Sequence, residues 1–285
     1  MRKKTLFLST AFLFSLALSG CSSNQKVTEY NIDDFSAAYN NTIDAIEDET
    51  QYWSDEEKES KEYQKIVEKH AKENGFSINM PVMIRGKFND IIGSYLFLNA
   101  DDDTDINFGC DFQPPLDELA LLTPNENIAV EGTLFKTYES ESGEEEISEF
   151  LEDCEVVSPN LDEVEFEDNT SDILESDNYS DRIMGTVASV VEITDSEEYR
   201  EFLVDNSSTY VEGESDFALA YRYATHTVSL DLDNGNILLC LVDEKVNETL
   251  PKSGDKISLI GKHFTYLNDN FVDAVNSPIY IFNKE

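Results

Sequence analysis

The sequence predicts a mainly β protein in which an N-terminal helical segment precedes two tandem copies of a small five-stranded module. Three observations carry that prediction. Apolar residues recur at three and four before Gly75 and at two beyond it. The same order of strand-like segments then occurs twice. A stretch with no Lys or Arg, from Thr137 to Asp181, ends between the two copies.

In the helical part, Ile32, Phe35, Ala38, Tyr39, Ile43 and Ile46 fall on one helix face. Trp53 follows, and Glu57 to Glu73 mixes acids and lysines around Tyr63, Ile66 and Val67. Ser54 with Glu57 is the pattern of a capping box for the second helix, and Asn74-Gly75 is its stop. Residues 22–75 are therefore expected to form a polar tether and a helical stalk, with its aromatics serving packing.

The strands are read from alternation. Val82, Ile84, Gly86 and Phe88 alternate with polar residues, as do Tyr95 and Phe97, and then Ile128, Val130, Gly132 and Leu134. Ile84-Arg85-Gly86-Lys87-Phe88 matches Ile183-Met184-Gly185-Thr186-Val187, and Ile128 to Phe135 matches Ile257 to Phe264. Cys110 precedes Gly132 by 22 residues and Cys240 precedes Gly261 by 21, so the copies align almost without gaps. Asn234-Gly235 lies between the second and third strand-like segments of the later copy, a strong hairpin signal. The acidic run Asp101 to Asp105 takes the corresponding tip in the earlier copy. An EF-hand counted from Asp101 needs Gly and Glu where the chain has Ile106 and Phe112. No metal is assigned; a solvated turn is expected, with a looser calcium site on Asp101, Asp103 and Asp105 as the alternative.

From Thr137 to Asp181 the chain carries 18 acids, a block that repels itself and supports no core. Its later part is read as a linker over 159–180, leaving modules over 76–158 and 181–285. Each has a Pro-containing connection after its third strand (Pro114, Pro115 and Pro124; Pro251) and a Gly within its first and fourth strands. This pattern suggests a small closed barrel whose glycines ease sharp bends. The second module inserts residues 194–225 between its first two strands, with a short helix over Ser196 to Leu203. The insertion offers the candidate ligand-binding residues Tyr210, Phe217, Tyr221, Arg222 and Tyr223, near Arg200. The competing reading is that these rings cover an open barrel end.

The modules resemble the OB-fold, and more particularly the tRNA-anti-like OB domains of bacterial lipoproteins. The resemblance rests on Gly86 and Gly185 in the first strands, Cys110 and Cys240 in the third, Ile-x-Val/Leu-x-Gly in the fourth, and Leu151-Glu152-Asp153-Cys154 in the fifth. The second module departs in having Ala274 where the first has Cys154. The resemblance implies two tandem OB-like five-stranded barrels. It also implies neighbouring third and fifth strands, so Cys110 and Cys154 are a possible disulfide; buried reduced thiols are the other reading. OB domains bind oligonucleotides, sugars or proteins by varying one face. With a net charge of −40, this chain lacks the basic groove that nucleic acid requires.

At the start of the chain, Arg2, Lys3 and Lys4 precede an apolar stretch from Leu6 to Leu18 and then Ser19-Gly20-Cys21. Such a segment is too short to span a membrane and has the form of an export signal. It resembles a bacterial lipoprotein signal peptide with its lipobox. That resemblance implies diacylglycerol and palmitate-type acylation at Cys21, and a chain held on the extracytoplasmic face of the cell membrane.

His70, His226 and His263 fall in separate segments, outside any recognised nucleophile motif, and no zinc pair, phosphate loop or dinucleotide turn occurs. An enzyme is not expected, and no cofactor is assigned. The expected role is a membrane-anchored binding or adaptor module. Its partners would be the membrane, through the lipid, and a protein or other cell-envelope component. The alternative is a calcium- or cationic-peptide-binding accessory to an envelope enzyme or stress response.

Overall fold

The structure is a computed structural model that describes residues 27–58, 60–100, 107–139, 145–148, 150–174, 176, 180–207, 211, 213–232, 235–247 and 249–282. The first described element is a strand, β1 (Thr28–Asn31), followed by helices α1 (Ile32–Thr50), α2 (Asp55–Lys58) and α3 (Lys61–Glu73). Asn31 caps α1, its side-chain oxygen accepting from Asp34 N at 2.7 Å. The capping box forms, with Ser54 N donating to Glu57 at 2.7 Å, but it starts only the single turn of α2. A second cap, Ser60 Oγ accepting from Tyr63 N at 3.3 Å, starts α3. Gly75 ends the segment with φ 92°, a conformation that favours glycine.

The helices do not stand apart as a stalk. Ile32, Phe35, Ile46, Tyr63, Val67, Ala71 and Phe76 share one core with Ile84, Leu98, Val130 and Leu151 of the first sheet. Phe35 is its hub, edge-on to Phe108 at 4.7 Å and to Phe76 at 5.6 Å. The sequence showed that the helices have an apolar face; the first sheet is what that face covers.

That sheet contains β1, β2 (Met80–Ile92), β3 (Tyr95–Asn99), β4 (Asn107–Asp111), β5 (Asn127–Leu134) and β8 (Leu151–Ser158). A separate hairpin, β6 (Thr137–Glu139) with β7 (Glu145–Ile147), lies between β5 and β8 in the chain. The strand order is β1-β2-β3-β4-β8-β5, and β5 pairs again with β2 from Met80–Leu134 to Lys87–Asn127. The β1–β2 and β4–β8 pairs are parallel. β1 adds a sixth strand that its sequence, Thr-Glu-Tyr-Asn, does not announce.

The second sheet repeats the circuit of five strands with β9 (Asp181–Glu192), β10 (His226–Asp231), β11 (Ile237–Val242), β12 (Lys256–Tyr266) and β13 (Asp269–Asp273), and its sixth strand, β14 (Tyr280–Phe282), pairs with the fourth strand instead of the first. Its order is β13-β11-β10-β9-β12-β14, with β13 also paired to β12 and the β11–β13 pair parallel. Both first strands carry a register shift, in β2 between Phe88 and Asp90 and in β9 between Val187 and Ser189. The hairpin reading holds at its flanks, where Asn99 pairs with Asn107 and Asp231 with Ile237. Asp101, Asp103 and Asp105 themselves lie outside the described residues.

The first-strand glycines leave room for neighbouring elements, Gly86 for the β3 backbone at Asn99 O as well as for the start of α1, while the linker expected over 159–180 needs correction. A Cβ on Gly86 would meet Ile32 Cβ at 3.3 Å, and one on Gly185 would meet Thr170 Cγ2 at 2.6 Å. Thr170 opens a short helix, α4 (Thr170–Ile173), within the expected linker. Ile173 is buried in the second core, and Asn169 bonds to Met184 N at 2.7 Å and to Arg182 O at 2.8 Å. The end of the acidic stretch is therefore built into the second sheet, because an Asn side chain can present amide-like hydrogen bonds to a strand.

The two modules meet through the 3₁₀ turn Asp117–Leu121. Ser258 Oγ donates to Ala120 O at 2.6 Å, Arg182 donates to Leu121 O at 2.7 Å, and Ile260 of β12 joins the first core. Burial lowers the Arg182 pKa, and Glu126 and Glu167 oppose that shift.

Candidate functional site

The insertion between β9 and β10 folds into two helices, α5 (Glu197–Asn206) and α6 (Glu214–Tyr223). Ser196 starts α5, its Oγ accepting from Tyr199 N at 3.3 Å. Gly213 starts α6 with φ 72° against β12, where an added Cβ would lie 2.0 Å from Thr265 O. Only glycine fits there, so α6 is fixed on the second sheet at its first residue.

From that start, a spacing of three and four places Phe217, Ala220, Tyr221 and Ala224 over Phe264, Tyr266 and Phe271. Phe217 stacks on Tyr266 at 4.9 Å and on Tyr221 at 5.0 Å. The Tyr221 hydroxyl donates to Asp195 at 2.6 Å; burial, and then that carboxylate, push its pKa up to about 12. Phe217 and Tyr221 are thus half-buried packing residues that cover one side of the sheet. Tyr210 lies outside the described residues.

Arg222 and Tyr223 are differently placed. Arg222 pairs with Glu201 of α5 at 2.6 Å and lies over the Tyr223 ring at 5.3 Å. Arg200 is spent on structure, donating to Ala224 O at 2.7 Å and Asp195 O at 3.2 Å. These side chains, with Asp243 and Lys245, line a cleft of about 430 Å³.

Sequence reasoning missed the outer surface of this helix pair. α5 has no buried residue at all, and it exposes Tyr199 and Phe202. α6 exposes Leu219 and Tyr223, with Phe202 and Tyr223 each 58% accessible. The three-residue spacing of Tyr199 and Phe202 among acids was available as a signal. By itself that spacing does not mark an exposed surface, because a pair of apolar residues on an acidic helix normally faces a core.

Cys110, Cys154 and Cys240 are buried free thiols. Cys154 Sγ donates to Leu151 O at 3.4 Å, and Leu151 is the residue opposite Cys110 across the β4–β8 pair. Among the described residues, no group of three or more His, Cys, Asp or Glu is placed to hold a metal ion. Cys21 lies outside those residues, and among them no helix is long and apolar enough to cross a membrane. No protein-family model matches the chain, and no curated protein matches it.

Proposed function

We propose that this chain is a non-catalytic docking lipoprotein, held at the extracytoplasmic face of the cell membrane through Cys21 and built on two OB-like barrels. It captures a protein partner on the outer surface of α5 and α6. The barrel reading is supported by the strand circuit, in which first, second, third, fifth and fourth strands pair in turn and the fourth returns to the first. The signal-like residues 1–21 support the anchor.

The observation that carries the docking role is α5, a helix with no buried residue that keeps Tyr199 and Phe202 in solvent. Exposed rings on a chain of net charge −40 favour a partner. Glu197, Glu198, Glu201 and Asp205 lie on the same helix, so the complementary surface has an apolar centre and a basic rim. Helix-borne anchors of this kind enter apolar grooves.

Benzoylphenylalanine placed at Phe202 of the anchored chain, irradiated in living cells, tests this directly. The expected result is one abundant captured protein whose crosslinked peptide mixes basic and apolar residues, with capture lost on Tyr199→Asp. A probe at Lys58 on α2 should capture none of it. Glycan adducts, equal capture at Lys58, or no adduct at Phe202 would overturn the docking reading.

A further inference from the structure

We propose that Cys110 and Cys154 form an oxidisable pair, which closes to a disulfide within the first module by exchange with an external disulfide and so staples β4 to β8. The geometry begins with a bulge. Glu131 pairs with Glu155 and Thr133 with Glu152, so Asp153 and Cys154 together stand opposite Gly132. Asp153 takes φ 52° to absorb the extra residue. Leu151 and Cys154, three residues apart, therefore both face inward, where an unbroken strand would send them to opposite faces. A Cβ on residue 132 would lie 2.8 Å from Cys154 Sγ, so the missing side chain is what makes room for the sulfur. The sulfur reaches Leu151 O, opposite Cys110, so the two buried thiols lie at the same point of the seam.

The pair lies where a covalent tie has most to add. β4 and β8 meet at a single residue pair, Cys110 with Leu151. Cys154 also lines a cavity of about 450 Å³ with Phe112, Val156 and Leu161, which gives a reagent a route to it; Cys110 lies behind, wholly buried. Cys240 is wholly buried in the second core, where Ala274 stands in place of a second sulfur. The Cys154 thiol, losing its proton, attacks the external disulfide and releases one thiol, leaving a mixed disulfide. Cys110, losing its proton, then attacks Cys154 sulfur and releases the second thiol. Two protein thiols are oxidised and one external disulfide is reduced. Hydrogen bonding to Cys110 and burial hold the Cys154 thiol up, so the exchange quickens as pH rises.

The test treats the full chain with oxidised glutathione and maps it with trypsin, which cuts after Lys136, Arg182 and Arg222 and so separates the three buried cysteines. The expected result is one linked pair, Cys110 with Cys154, and a melting temperature for the first module raised by roughly 10 °C. Dithiothreitol should reverse both changes. Cys240→Ser should keep them, and Cys154→Ala, the residue the second module already has, should lose them. Thiols still alkylatable at both positions, a stable glutathione adduct, a link to Cys240, or a link that leaves melting unchanged would each overturn the proposal.

Discussion

In the first module the parallel pair β4–β8 meets at one residue pair, whereas in the second β11–β13 runs in register over four, from Leu238–Asn270 to Leu241–Asp273. The circuit of five strands is the same, so the difference comes from how the chain enters its last strand. In the second module β12 turns straight into β13 through Leu267 and Asn268, with φ 51° and 71°, a two-residue turn whose twist suits a hairpin and fixes the register. In the first module the chain makes the β6–β7 hairpin before β8, and β8 then needs its bulge to rejoin β5. A tight turn sets register from within the hairpin; a long excursion leaves it to side-chain packing. Cys154 and Gly132 are that packing.

The comparison breaks most sharply at the fourth-strand glycines. A Cβ on Gly261 would lie 2.5 Å from Asp273 O and from Val272 Cγ1, close to backbone that β13 holds in place. Gly261→Ala should cost about 3 kcal/mol. At Gly132 the nearest atoms, at 2.8 Å, belong to the Cys154 and Leu151 side chains, which can shift, so Gly132→Ala should cost about 2 kcal/mol. Cys154→Ala should restore about half of that loss, and urea unfolding of the single and double variants checks it. Equal losses without rescue would mean that the seam does not depend on the sulfur.

Next in size is exchange of the seam amides. In reduced protein, the β4 and β8 amides at the seam should exchange about tenfold faster than those of β11 and β13, because fewer pairings must open. Hydrogen exchange read by mass spectrometry checks this, and equal protection would show that one backbone pair suffices. Smallest is the pH response at the border of the modules. Asp90 of β2 and Asp273 of β13 line a cleft of about 150 Å³ with Lys262 and Ser277. Burial raises both carboxyls; Asp273 adds to the shift at Asp90, while Lys262 opposes and Asp216 adds to the shift at Asp273. Their folded pKa values exceed the unfolded ones, so the folded state binds more protons in the window above the ordinary carboxyl range. Stability should then rise as pH falls from neutral toward the ordinary carboxyl range. Asp90→Asn should raise the melting temperature at neutral pH and flatten that dependence.

Much of this was legible. The duplication was carried by short alternating runs around Gly86 and Gly185 and around Gly132 and Gly261, which show that a unit repeats but not how its strands pair. Ser196 announced α5 because a cap is a local signal. The bulge was hidden, since its positive φ falls on Asp153 and not on a glycine. β1 was hidden too, because a polar strand held by backbone pairing leaves no apolar period. At the candidate site the aromatic residues were found but their roles were mixed. Phe217 and Tyr221 are one turn apart on α6 and pack, and helical periodicity in Phe217-Ala-Leu-Ala-Tyr221 could have shown it. No local pattern says that Tyr199 and Phe202 stay exposed, because exposure depends on what the rest of the chain leaves uncovered.

β1 has a mechanical consequence for the proposed anchoring. Six residues separate Cys21 from Thr28, and a fully extended chain of that length reaches only about 20 Å. A pull along β1 would load its pairings from Thr28–Val82 to Asn31–Arg85 together, in shear, rather than peel them one at a time. Drag on a captured partner would thus be carried from the lipid through β1 into β2, the strand on which the first sheet closes, and the protein would ride close to the bilayer on a short leash.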